Sequence, residues 1–439
     1  MWRRPAWLKL RYLPLIVGAS LPLISWFYLM WNTTAGEINP SLRFRTKTTI
    51  AGVIGEAAPI LSLDAVLTGT YQRWVSRSIG QLSPVFKMAV GWKGQIYYSL
   101  LGMVPEAGLV GPDSVIVGRD QQLFEMNYLN EYCGRDPAKL QTAGGDWATR
   151  IRRVQDFFNA RGKVFLYIIT PSKVAQEPQI IPDRYACPGN AKNRAEKLDL
   201  YDKILTRHGV QFVDTASEMT AARETYGVSM FPRGGIHWNS LGSALGTQKV
   251  IAAVNAQRPA PLLATLNFTW RISYHPQGSD RDLLDIINLP YPDTHYPVPI
   301  LTYQSSPPPN GCHTISITEV GGSFLRLLNS TLERLGCPPE IIDWFYRDHN
   351  HIRYAVGRLY DLPVDADARR ASLLDADVIF LEENDATAPN SMQGELMMRE
   401  VARLAGTRDD HSAGLIPFRG MRISNSSNSA GKVVMIRRT

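Results

Sequence analysis

The stretch Val164-Phe-Leu-Tyr-Ile-Ile169 is apolar at every position. An unbroken apolar run of this length reads as a strand covered on both faces, because a half-exposed strand would alternate apolar with polar residues. The run Asp377-Val-Ile-Phe-Leu-Glu382 has the same character. Thr314–Val320 and Val210–Asp214 read as further strands. Between the strands lie helical patterns. Asp146–Ala160 gathers Ile151, Val154, Phe157 and Phe158 on one side. Arg194–Arg207, Ala216–Tyr226, Leu241–Gln257 and Phe324–Gly336 follow, and Asn239 or Ser240 supplies a cap for the third of these. Strands alternating with helices predict an α/β fold, a parallel sheet flanked by helices on both faces. Chemistry in such sheets collects at the carboxyl ends of the strands.

The N-terminus has a different character. Trp2–Arg11 carries four cations, and Tyr12–Trp31 then runs without a charge. About 20 residues rising about 1.5 Å each cross a hydrocarbon core of about 30 Å. Basic residues ahead of the run place the N-terminus in the cytoplasm. The expected order is therefore a basic flank and one transmembrane signal-anchor over 1–35, with a cleaved signal as the alternative. A helical membrane-proximal segment spans 36–110, with apolar residues at helical spacing from Ala65 to Gly91. The main α/β domain spans 111–400, with Ser114–Phe124 as a strand pair leading into it. A tail over 401–439 contains a candidate edge strand, Val433–Ile436. Within the main domain, residues 258–311 are rich in proline and read as an irregular insertion, in which Phe268–Tyr274 could be a strand.

An anchored chain places this domain outside the cytoplasm. Four cysteines suit that oxidising compartment, and their wide spacing does not suit zinc. Of three possible pairings, Cys133–Cys187 with Cys312–Cys337 keeps each bridge within one segment. Four buried thiols are the alternative. A net charge of +7 is modest, and no basic stripe with interleaved aromatics marks a nucleic-acid surface. No metal-binding pattern is present.

Two short motifs carry the chemistry. Gly321-Gly-Ser-Phe324 places a hydroxyl in a tight turn between a strand and a helix, and Gly234-Gly-Ile-His-Trp-Asn239 places an imidazole in a loop before another helix. A serine hydroxyl is a poor nucleophile until a base takes its proton, and histidine does so near neutral pH. Ser323 and His237 are the candidate catalytic pair.

These motifs, in this order, resemble the alginate O-acetyltransferase family of the SGNH hydrolase superfamily, the AlgJ and AlgX type. Val115–Phe124 is similar to the family's opening motif, and Val164–Lys173 to its strand ending in Pro-Ser-Lys. Val210–Asp214, His237-Trp238 with Gly242, Gly321–Phe324 and Asp377–Glu383 follow in the family's order. The resemblance implies acetyl transfer to an exported polysaccharide through an acetyl-serine, with no bound cofactor. The acetyl group would come from a multi-spanning, MBOAT-like membrane acyltransferase partner. By carry-over, Ser323 is the nucleophile, His237 the base, and Trp238 lines the site. A carbohydrate esterase and a non-catalytic polysaccharide-binding protein are the alternatives.

Two departures stand out. Gly235 occupies the position where the family has the aspartate two residues before histidine, and Gly322 occupies another aspartate position. The second leaves the amide of the turn available to an oxyanion. The first requires another acid, for which Asp214, Glu383 and Asp385 are candidates at strand ends. Asn384 is a candidate oxyanion donor and Tyr346 a candidate substrate contact.

Overall fold

The computed structural model describes residues 59–60, 62–74, 84–105, 114–189, 194–346, 350–355, 358–362 and 366–406, with four isolated positions between 27 and 34. The uncharged run Tyr12–Trp31, apart from Phe27, Met30 and Trp31, and the expected edge strand at Val433–Ile436 lie outside the described residues. Among the described residues, no helix is long and apolar enough to cross a membrane.

Eleven strands form three sheets among the described residues. β1 (Val115–Val117) and β2 (Leu123–Glu125) make the expected antiparallel pair. The main strands are β3 (Val164–Thr170), β4 (Phe212–Asp214), β7 (Ser316–Gly321), β8 (Glu340–Phe345) and β11 (Val378–Asn384). They run parallel in the order β8-β7-β11-β3-β4. At one edge β9 (Asn350–Ala355) and β10 (Arg358–Leu362) continue the sheet as an antiparallel hairpin.

Side chains alternate across this sheet. One face presents Phe165, Tyr167, Ile169, Val320, Trp344 and Leu381 to helices Pro137–Asn159, Lys197–Arg207 and Met392–Leu404. The other presents Leu166, Ile168, Ile317, Ile341 and Phe380 to helices Ser240–Asn255 and Leu325–Leu332. Every residue of β3 and β11 is buried, as apolar runs in a doubly covered sheet require.

The stretch 258–311 is more regular than an irregular insertion. β5 (Thr265–Ser273) pairs with β6 (Val298–Ser306) along nine antiparallel positions. Leu266 of this ribbon packs into the core beneath helix Ser240–Asn255, whose Gln248 donates to the Leu266 carbonyl at 2.8 Å. Prolines do not prevent this pairing because they cluster in the connections, with Pro299 in a two-stranded ribbon that has free edges. Residues 274–297 connect the two strands and contain a short helix, Asp282–Ile286.

The cysteines form two bridges, Cys133–Cys187 and Cys312–Cys337. The first ties the end of helix Met126–Cys133 to the loop beyond β3.

Candidate active site

Ser323 follows β7 directly, in the turn before helix Leu325–Leu332. Gly321 allows that turn: a Cβ there would meet Leu325 Cδ1 at 2.4 Å. His237 comes from the loop before helix Ser240–Asn255. Asn239 fixes the end of that loop, its side-chain oxygen accepting from the Leu241 and Gly242 amides at 3.0 Å. The two segments meet at the carboxyl edge of the sheet, and Ser323 Oγ lies 2.6 Å from His237 Nε2.

The acid behind the histidine is Asp282, a residue the sequence motifs did not reveal. Its Oδ2 accepts a hydrogen bond from His237 Nδ1. Its Oδ1 accepts from the Ile236 amide at 3.0 Å and the Leu283 amide at 2.7 Å. The carboxylate is thus oriented by backbone on both sides. It fixes the tautomer in which Nδ1 carries the proton and Nε2 accepts from the serine hydroxyl. The Leu284 amide donates to the Gly234 carbonyl at 2.9 Å, which locks the acid-bearing helix to the histidine loop.

Gly235 explains why the acid can arrive this way. A Cβ at Gly235 would lie 2.3 Å from the Ser279 carbonyl oxygen and 2.9 Å from Pro232 Cγ. An aspartate side chain has no room there, and the glycine admits the segment that brings in Asp282.

The three carboxylates expected from the sequence all serve other ends. Asp214 accepts from the Ala216 and Ser217 amides at 2.7 and 3.0 Å and closes a turn. Glu383 points to the opposite face of the sheet, where it accepts from Trp147 Nε1 at 3.0 Å and from the Tyr167 hydroxyl. Asp385 faces the Arg135 guanidinium at 3.4 Å. Alternation along β11 accounts for Glu383: one step moves a side chain through the sheet.

Three further expectations change. Asn384 is a local brace, its Nδ2 donating to the Pro171 carbonyl at 2.8 Å, and not an oxyanion donor. Trp238 does not line the site. It is fully buried, its Nε1 donating to the Phe324 carbonyl at 3.3 Å, and a Cβ at Gly246 would lie 2.8 Å from its ring. It therefore orients the histidine loop from beneath. The Gly322 amide is not available either, because it donates to Glu382 Oε2 at 2.7 Å.

Glu382, one residue before Glu383, is buried under the serine turn and also accepts from the Thr170 hydroxyl. Burial pushes its carboxyl up to about 7, against the Thr170 and Gly322 hydrogen bonds that favour the ionised form.

Tyr346 does reach the site. Its hydroxyl lies 3.0 Å from Ser323 Oγ. Burial raises its pKa, against its hydrogen bonding with Ser323, so the phenol keeps its proton. Its backbone adopts φ +42°, a strained value for a bulky residue, held by a 3.0 Å bond from its amide to the Gly321 carbonyl.

Hydroxyl, imidazole and carboxylate in line, with a second hydroxyl beside the nucleophile, form a constellation suited to acyl transfer. Among the described residues, no group of three or more His, Cys, Asp or Glu is arranged to hold a metal ion. Residues 115–300 match the family described as the SGNH hydrolase-like domain of acetyltransferase AlgX. Residues 115–300 are thus an SGNH hydrolase-like domain of the AlgX acetyltransferase type.

His237 and Asp282 fall within the matched part of the AlgX-type domain. Ser323, Tyr346 and Glu382 lie beyond it and join the site through β7, β8 and β11. The O-acetyltransferase domain of Pseudomonas putida AlgJ is similar in structure, with 16% identity, a TM-score of 0.41, and coverage of 66% of this chain and 99% of that one. Pseudomonas aeruginosa AlgX is similar at 11% identity and a TM-score of 0.42, over 68% of this chain and 69% of that one. Bacillus cereus PatB1 is similar at 12% identity and a TM-score of 0.40, over 63% of this chain and 97% of that one. Likeness at this level adds nothing to the family match, which alone carries the assignment. A comparison with curated protein sequences finds no match.

Proposed function

We propose that the chain acetylates an exported polysaccharide through an acetyl-serine intermediate. The observation that carries this reading is the Asp282–His237–Ser323 relay. His237 Nε2 takes the Ser323 proton as Oγ attacks the acetyl carbonyl of the donor. The imidazolium, stabilised by Asp282, returns that proton to the leaving group, and acetyl-Ser323 remains. A sugar hydroxyl then gives its proton to Nε2 and attacks the ester. The imidazolium gives its proton back to Ser323 Oγ as the acetylated sugar departs. The Tyr346 hydroxyl donates to the oxyanion that forms in both halves.

The acetyl donor is handed on by a multi-spanning membrane acyltransferase, and the domain works in the periplasm from a membrane-held position. The uncharged run Tyr12–Trp31 and the two disulfides support that placement. So does helix Pro84–Ile96. Its Gly91 and Gly94 pack on the main domain near Pro290 and Leu289, Trp92 lies against the Tyr291 ring with centroids 5.7 Å apart, and Met88 and Ile96 are half-exposed. Half-exposed apolar side chains along this helix suit an interfacial lipid contact. Protease protection in spheroplasts checks the placement: a main domain cleaved only after the inner membrane is broken refutes it.

The functional test uses an acetylated donor and an oligosaccharide acceptor with wild type, Ser323→Ala and His237→Ala. Acetylated oligosaccharide from wild type, and none from either variant, supports transfer. Free acetate as the sole product identifies an esterase instead.

A further inference from the structure

Lys173 opens the short helix Lys173–Gln176 just beyond β3, and its side chain is wholly buried. A buried ammonium is costly unless each of its N–H groups finds an acceptor. Here Nζ donates to the carbonyl oxygens of Leu123 at 2.8 Å, Pro232 at 2.7 Å and Gly235 at 2.8 Å, with that of Arg233 at 3.3 Å. Pro232, Arg233 and Gly235 belong to the loop that delivers His237. Leu123 belongs to β2, whose amide in turn donates to the Arg233 carbonyl at 2.8 Å. One cation thus gathers the histidine loop, β2 and the end of β3 at a single point.

We propose that Lys173 is a positioning residue for acyl transfer, its ammonium holding the loop so that His237 Nε2 meets Ser323 Oγ. The proposal rests on the catalytic reading above. A neutral amine has two N–H groups, so deprotonation leaves one carbonyl unpaired and turns a lone pair toward oxygen. Lys173 touches neither Ser323 nor His237, so it acts only through the backbone it holds. The charged groups that bear on it are Glu177 and Asp282, which favour the ammonium, and Arg233, which opposes it. Burial outweighs them and pulls its pKa down to about 7. The loop therefore loosens as pH rises through neutrality. Acylation falls on the alkaline side, where an imidazole base acting alone would leave the rate at its plateau.

The experiment uses the full-length chain and p-nitrophenyl acetate, following nitrophenolate release. The side chain of Lys173→Met has similar length but no charge. It is expected to lower kcat about 100-fold, the scale of a 1 Å misplacement, with KM nearly unchanged and no alkaline limb. Wild-type kcat with the wild-type pH profile in that variant overturns the proposal. Should Lys173→Met fail to fold, wild type decides: an alkaline limb that coincides with the Nζ titration of labelled Lys173 supports the role, and a flat profile through that titration overturns it. Ser323→Ala separates the two readings. Acylation that persists there removes the catalytic reading itself. Acylation lost there but intact in Lys173→Met removes only the role of Lys173.

Discussion

Asp282 stands 45 positions after His237 in the chain and binds its Nδ1, while Gly235, two positions before the histidine, leaves the space through which the acid-bearing segment approaches. Glycine and acid are two parts of one arrangement. The carboxylate missing from the histidine motif is supplied by the connection between β5 and β6.

Asp282→Asn should keep the fold and lower the acylation rate about 10⁴-fold, because an amide can favour the wrong imidazole tautomer. Asp214→Asn and Asp385→Asn should leave the rate near wild type in samples that remain folded. Adding Gly235→Asp should not rescue Asp282→Asn, since its Cβ would collide with the Ser279 carbonyl. Rescue by that second substitution would show that the space is available after all.

Tyr346→Phe removes one hydroxyl beside Ser323 and leaves the ring in place. The expected loss is about 10²–10³-fold in kcat with KM little changed, the signature of a donor that acts on the developing oxyanion. Equal loss in KM would identify a substrate contact instead.

Glu382 makes stability depend on pH. Its folded pKa of about 7 exceeds the ordinary carboxyl value of 4.5, so the folded state holds the proton more tightly. That contribution is complete below the unfolded pKa and is lost as pH rises through the folded one. The shift corresponds to about 3 kcal/mol across that window. Buried Asp343, pushed up to about 8, adds in the same direction. Glu382→Gln keeps a carbonyl for the Gly322 amide and an amide for Thr170, so its denaturation midpoint should vary less with pH than that of wild type. An unchanged slope would remove the assignment to Glu382.

Replacing Cys133 and Cys187 by alanine opens a 54-residue loop, for which the chain-entropy relation gives a loss of about 4 kcal/mol. The Cys312–Cys337 pair spans 25 residues and should cost slightly less. Urea midpoints of the two double variants check both the size and the order.

The parallel sheet was legible in the sequence because a doubly covered strand must be apolar throughout, as Val164–Ile169 is. Ser323 and His237 were legible because tight turns need glycine and acyl transfer needs a base. Asp282 was not, because no local pattern marks an acid whose partner is brought near only by the pairing of β5 with β6. The resemblance carries Trp238 into the site as the neighbour of His237, but a shared motif does not fix a side chain's direction, and this indole points into the core toward Phe324. Glu382 and Glu383 show the same limit in a strand, where neighbours in sequence face opposite layers. The β9–β10 hairpin had no apolar run to announce it.

The ribbon β5–β6 has a consequence for descent. Its connecting segment carries the acid of the relay, so the ribbon is not a detachable module. A recombination event that exchanged it for another covering loop would disarm the histidine in the same step. A chain with an altered ribbon keeps the relay only where an aspartate still reaches His237 Nδ1.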